Sequence, residues 1–421
     1  MMAGHAEAAS GRSAHRLAAA AWLTTGPLAQ LLLLLDSDGE EARVVGGAVR
    51  NAMLGEEIGD IDIATTAVPD EVARRVERAG FKAVPTGIDH GTLTVVVDGY
   101  PFEVTTLRTD VETFGRKAVV QFGRDWKADA ERRDFTINAL SAAADGTLYD
   151  YVGGLADIAA RRVRFIGDPA KRIAEDYLRI LRFFRFHAAH AEGAPDAAGL
   201  HACIVARAGM EQLSRERVRL ELVKLMVTRR AVATLEVMAD TGLLVQVLGG
   251  VPFVPAIAAM VECEAALGLP ADATRRLAAL AVLIVEDAER LWQRLRLSNA
   301  EYKQLASMGE DWWRLSRAIS EQDARALLYR LKPEGYRDRV LMAWSHAPEG
   351  SSDPAWQALA TLPQHWTPPA FPLHAADFIK RGVAKGPALG AAMLAAEEAW
   401  IKADFPTDKA AVEMIAAAAM G

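Results

Sequence analysis

Cysteine is almost absent from this chain: only Cys203 and Cys263 occur, far apart and without CxxC spacing. That excludes a disulfide framework and a thiolate zinc motif, and it fits a reducing compartment, so a cytoplasmic protein is expected. Long hydrophobic runs are missing too. The most apolar stretch, Leu277–Val285, is too short to cross a bilayer as a helix, and a soluble chain is expected. No internal repeat is sustained. Positive charge is not in excess either: the formal net charge is −7, which taken as one number gives no support to nucleic-acid binding.

What is there is a globular composition, 51% hydrophobic and 24% charged, which rules out a disordered chain. The length of 421 residues exceeds one ordinary core and implies roughly two to four domains or subdomains. Charge is unevenly spread. Residues 161 to 230 hold 15 Lys/Arg against 8 Asp/Glu, an excess of 15 − 8 = +7 in an otherwise acidic chain. Such a stretch suits either phosphate tracking or a solvated helix face. The N-terminal MMAGHAEAASGRSAHRLAAAAW has the Ala/Ser/Arg flavour of a mitochondrial transit peptide, although Glu7 and the lack of an apolar core argue against a secretory signal. The expectation is a frayed leader over residues 1–26, before a helix at Pro27–Asp36.

The chain is organised around Arg43–Thr66, RVVGGAVRNAMLGEEIGDIDIATT. A short apolar run leads into Gly46-Gly47, a helical segment carries Arg50, and a strand over Asp60–Ala64 presents Asp60 and Asp62. Side chains two apart on a strand share a face, so both carboxylates project together as a divalent-metal site in outline. Paired glycines allow close backbone approach, and the helix behind them offers N–H groups to an anion. Together they suggest chemistry on a nucleoside triphosphate. Taken alone, DxD is equally a solvated strand end and GG a turn.

From Glu41 to Tyr151 the pattern mixes strands at Ala42–Val45, Asp60–Ala64, Thr92–Val97 and Phe102–Thr106 with a helix at Pro69–Ala79. Asp98-Gly99 signals a hairpin. Glu103, between apolar neighbours on its strand, is a candidate third carboxylate or an edge charge facing water. His90-Gly91-Thr92 is polar turn chemistry. Arg132-Arg133-Asp134 combines donors for phosphate with an acceptor for a ribose, and Asp150-Tyr151-Val152-Gly153-Gly154 has the glycines of a hinge. Beyond Tyr151 the only strand-like run is Val163–Ile166. Amphipathic helices follow at Pro169–His190, Arg215–Val227, Ala231–Thr241, Ala271–Val285, Ala300–Ile319, Gln322–Leu331 and Pro387–Ala403, with breaks at Gly249–Pro255, Ala347–Pro354 and Pro363–Pro372. On a helix over Lys171–His187, Asp176 and Arg179 stand three apart on one face, as a surface ion pair or as a donor and acceptor edge for a nucleobase.

In this order, GGAVRNAMLG…GDIDIAT, EVTTLR, DVETFGR, ERRDFTINAL, DYVGGLADI, GDPAKRIAEDYLRILRFFRF and LSRERVRLELVKL resemble the class II tRNA nucleotidyltransferases, the CCA-adding enzymes, and the related bacterial poly(A) polymerases. The resemblance is strongest over residues 43–228. It implies a polymerase-beta-like α/β nucleotidyltransferase head with a small mixed sheet (27–151), then an all-α neck (152–228), body (229–348) and tail (349–421). It further implies template-independent addition of CCA to the tRNA 3′ end from CTP and ATP. Asp60 and Asp62 would hold Mg²⁺, with Glu103 beside them. Gly46, Gly47 and Arg50 would hold the triphosphate, Arg133 and Asp134 the ribose, and Asp176 and Arg179 the Watson–Crick edge, with Asn138 and Arg182 in the same nucleotide-binding set. Asn51 stands where the family usually has Asp, and no His-Asp dipeptide of a phosphohydrolase occurs. The segment Pro85–Thr92 and the weakly basic C-terminus look like the CCA-adding branch, and Thr109–Asp125 resembles its flexible loop. Partial C- or A-addition, poly(A) synthesis and an inactive RNA-binding protein on the same fold are the alternatives.

Overall fold

The computed structural model describes residues 12–17, 20–87, 91–114 and 117–420. It divides into two compact units, one up to Val247 and one from Leu248, the division falling just before the Gly249-Gly250 break.

The first unit is built on a mixed eight-stranded sheet in the order β1-β10-β9-β2-β3-β6-β5-β4. Its strands are β1 (Arg12–Arg16), β2 (Ala42–Val45), β3 (Asp62–Thr65), β4 (Lys82–Gly87), β5 (Thr92–Val97), β6 (Tyr100–Thr106), β9 (Ser141–Ala142) and β10 (Thr147–Tyr149). The two central strands, β2 and β3, are antiparallel, and β3 runs parallel to β6 with Asp62 opposite Glu103. All four residues of β2 are buried, as a strand covered on both faces requires. The β5–β6 hairpin turns at Asp98-Gly99, both with positive φ, the backbone that a two-residue hairpin needs.

Several elements differ from expectation. Residues 12–16, inside the span read as a leader, form β1 and pair with β10. The strand expected from Asp60 begins only at Asp62, so Asp60 lies in the preceding loop. The segment expected as a flexible loop forms an antiparallel ribbon of β7 (Arg108–Phe114) and β8 (Lys117–Phe122), separate from the main sheet. Gly115 and Arg116 of that segment, like His90, lie outside the described residues. Val163–Ile166 is no strand; a single bridge joins Phe165 to Phe135. The Asp150–Gly154 segment is pinned: the Asp150 carboxylate accepts from the backbone N–H groups of Val152, Gly153, Gly154 and Leu155 at 2.8–3.1 Å.

The helix expected over Lys171–His187 is two. Pro169–Glu175 ends at Asp176, whose backbone is extended (φ −157, ψ 107), and Leu178–His190 starts after it. The second helix buries Leu178, Ile180, Leu181, Phe183, Phe184 and Phe186, and packs against Arg215–Met226. Among the described residues the second unit is entirely helical, from Val254–Ala266 to Lys409–Ala418. Its longest helix, Glu321–Ser345, kinks at Lys332-Pro333, because proline lacks the N–H and clashes with the preceding turn. No helix among the described residues is long and apolar enough to cross a membrane.

Candidate nucleotidyltransferase site

A cavity of about 510 Å³ in the first unit is lined by Gly46, Gly47, Arg50, Asp62, Arg133, Asp134, Asn138, Asp176, Arg179, Arg182, Arg185 and Phe186. Ten of these twelve were expected from sequence. Asp60 and Glu103 were expected as well but do not line it.

Its floor is the turn from β2 into the Gly47–Leu54 helix. Gly46 has φ 71 and ψ −122, and a Cβ there would stand 3.2 Å from an Arg133 Nη. Only glycine takes that backbone without strain, so the sequence requires it for both conformation and space. Arg50, on the following helix, is buried. It donates to the Asn138 Oδ1 at 2.5 Å and to the Asn51 Oδ1 at 2.8 and 3.1 Å, while the Asn51 amide donates to the Glu57 carbonyl at 2.8 Å. Asn51 thus keeps the acceptor that an aspartate would offer, and uses its second group as well. Burial lowers the Arg50 pKa to about 10, with Arg185 and Arg182 acting the same way against Glu56 and Asp134. It remains a cation at neutral pH.

On the next wall, Arg133 is held by the buried Asp129 (3.1 and 3.3 Å) and donates to the Asn138 carbonyl at 3.3 Å. Asp134 accepts from the Phe135 N–H (2.9 Å), the Asn138 amide (3.1 Å) and both Nε and Nη of Arg182 (2.8 and 2.6 Å). Burial opposes its ionisation, but Arg182 and these hydrogen bonds outweigh burial and hold its pKa below the ordinary carboxylate value.

Asp176 and Arg179 reach the cavity without forming the expected i,i+3 pair. The helix break at Asp176 removes that geometry. The Asp176 carboxylate accepts from the Leu178 N–H (3.1 Å) and from two Nη of Arg217 (2.6 and 3.3 Å), whereas Arg179 donates to the Arg172 carbonyl (2.6 Å) and pairs with Glu175. Arg185 pairs with Glu221. Arg185, Phe186 and Arg217 were missed from sequence. The first two sit three and four residues beyond Arg182, a helical spacing that marks a shared face; nothing in the sequence ties Arg217 to Asp176.

Asp62 stays accessible at the cavity wall, yet surrounding protein displaces part of its water. That burial, with Glu103 and Asp60 close by, raises its pKa against the pull of Arg133. A carboxylate that burial first, and neighbouring negative charge second, make reluctant to ionise is chemically suited to a divalent cation and hard oxygen ligation. Among the described residues, no group of three or more His, Cys, Asp or Glu side chains is placed to ligate one ion.

The family described as "Poly A polymerase head domain" matches residues 42–164, and that described as "Probable RNA and SrmB- binding site of polymerase A" matches residues 201–258. The zebrafish (Danio rerio) protein named CCA tRNA nucleotidyltransferase 1, mitochondrial, is 34% identical over 415 residues, spanning 92% of this chain and 89% of the relative. The chain belongs to the CCA tRNA nucleotidyltransferases. A CCA-adding enzyme of Limosilactobacillus fermentum is 31% identical, covering 93% of this chain and 97% of its own. The crystal structure of the Bacillus stearothermophilus CCA-adding enzyme in complex with CTP superposes with a TM-score of 0.73 at 26% identity, covering 92% of this chain and 96% of the other. An α/β nucleotidyltransferase head followed by a largely helical remainder is therefore both observed and shared with these enzymes.

Proposed function

We propose that this nucleotidyltransferase adds CCA to the 3′ end of tRNA from CTP and ATP without a nucleic-acid template, releasing pyrophosphate. The observation that carries the proposal is the single cavity in which Gly46, Gly47 and Arg50 meet Arg133-Asp134, Asp176, Arg179 and Asp62.

Each group has a task its chemistry suits. The glycine turn and the Arg50 guanidinium receive the triphosphate. Arg133 and Asp134, themselves fixed by Asp129 and Arg182, receive the ribose hydroxyls. Asp176 accepts from the exocyclic amine that cytosine and adenine share, and Arg179 donates to ring acceptors; uracil and guanine present a carbonyl oxygen instead. Arg217, by occupying part of the Asp176 carboxylate, orients its remaining lone pairs. Asp60 and Asp62 would hold Mg²⁺, which would supply a lowered pKa for the attacking 3′-hydroxyl and charge neutralisation for the leaving pyrophosphate. Positioning and charge neutralisation supply most of the remaining rate. The cytoplasm is the proposed compartment, supported by two buried, unpaired cysteines; cell fractionation tests it, since the vertebrate relatives are named mitochondrial.

The test incubates purified protein with Mg²⁺, tRNA lacking its 3′ end, and CTP, ATP or both, with lengths read on a sequencing gel. Two added residues with CTP alone and three with both are expected. Long homopolymeric A tails, or arrest after C addition with both nucleotides present, overturn the reading.

A further inference from the structure

Phe186 lines the cavity yet has no part in the chemistry above. Its side chain is buried, and three guanidinium groups meet its ring: the Cζ atoms of Arg185, Arg50 and Arg182 lie 4.2, 5.2 and 5.2 Å from the ring centroid. All three arginines also line the cavity. Arg182 and Arg185 share the Leu178–His190 helix with Phe186, while Arg50 comes from the Gly47–Leu54 helix. Two further rings support Phe186. Phe135 meets it edge-on with centroids 5.3 Å apart, and His190 lies at 5.8 Å.

Three cations converging on one spot repel each other. In-plane partners relieve part of that: Asn51 and Asn138 for Arg50, Asp134 for Arg182, Glu221 for Arg185. A guanidinium donates hydrogen bonds only in its plane, so these partners leave its flat faces to be covered otherwise. An aromatic ring attracts cations through its negative face, and the attraction grows when water is excluded.

We propose that Phe186 is a positioning residue for the substrate's triphosphate, gathering Arg50, Arg182 and Arg185 into one convergent set that meets a highly charged polyphosphate. The inference rests on the reading of this cavity as the nucleotide site. Leucine at this position would fill much of the space but would leave the arginines without a quadrupole to hold them together. Tyrosine would keep the face.

The test compares full-length wild type with Phe186→Leu and Phe186→Tyr, measuring CTP and ATP addition to tRNA and binding of inorganic tripolyphosphate by calorimetry. Phe186→Leu is expected to raise KM for both nucleotides about tenfold, to weaken tripolyphosphate by a similar factor, and to change kcat less than about threefold; Phe186→Tyr restores most of the loss. Equal effects on CTP and ATP separate triphosphate positioning from base reading. If Phe186→Leu unfolds below the assay temperature, Phe186→Met takes its place with the same expected pattern. Wild-type KM and tripolyphosphate affinity in the leucine or methionine variant overturn the inference. So does a folded tyrosine variant that loses as much as leucine, or a collapse of kcat at constant KM. Failure of the wild type itself to bind CTP and tripolyphosphate would instead overturn the assignment of the cavity.

Discussion

At the scale of single residues, the cavity pairs each functional group with a neighbour that fixes it. Arg133 is held by Asp129, Asp134 by Arg182, Arg50 by Asn138 and Asp176 by Arg217. Asp62 is the exception, a carboxylate whose pKa is raised by partial burial and then by the neighbouring Glu103 and Asp60. Replacing it by asparagine is expected to cut nucleotide incorporation at least about 10³-fold while tRNA affinity, read by filter binding, stays near wild type. Parallel loss of binding in folded protein would contradict its placement in the chemistry. His190 carries a pH signature. Burial pulls its pKa down to about 3, with Arg50, Arg185 and Arg161 adding to the shift, and the neutral ring lies 2.9 Å from Glu56 through Nδ1. A folded pKa below the ordinary 6.5 means that His190 contributes stability above pH 6.5 and loses it as pH falls towards 3. Denaturant titrations from pH 7 to pH 4 should show a shallower acid decline in His190→Gln than in wild type.

Elements set which of these residues meet. The Thr136–Asn138 turn carries the Asn138 that supports Arg50, and the Gly154–Ala159 helix packs against it so closely that a Cβ on Gly154 would come within 2.3 Å of the Thr136 carbonyl oxygen. Gly154→Ala must displace that turn. It is expected to cost about 1–3 kcal/mol in chemical denaturation, as overpacking does, and to raise KM for CTP through Arg50. The buried Asp157 of the same helix joins the elements too, accepting from Thr136 at 2.6 Å and from Arg162 and Arg164. The break at Asp176 shows why periodicity misleads here: residues 169–190 are helical in composition, but the Asp176 carboxylate is fixed by the Leu178 N–H and by Arg217, forty-one residues away in sequence. A local pattern does not register such a partner.

For the whole molecule, the relevant property is charge that is negative in total and positive where RNA is expected. The +7 excess over residues 161–230 predicts tRNA binding driven by phosphate contacts and counterion release. Affinity should fall linearly on a log–log plot against salt, by about tenfold or more between 50 and 200 mM. A flat response in fluorescence anisotropy would argue that the stretch is only a solvated helix surface.

The sequence by itself determined the ingredients: the glycine turn, the DxD, the Arg133-Asp134 pair, the strands β2, β5 and β6, and the helical character after Tyr151. These were legible because turn residues, alternation and helical spacing act over a few neighbours. Tertiary structure alone decided the rest. It placed Asp60 ahead of β3, recruited residues 12–16 into the sheet, parted Asp176 from Arg179, and stacked Arg50 with Arg182 and Arg185 on Phe186. The physical reason is the same each time. Those outcomes depend on partners distant in the chain, whose ion pairs and ring contacts exist only once the core has closed.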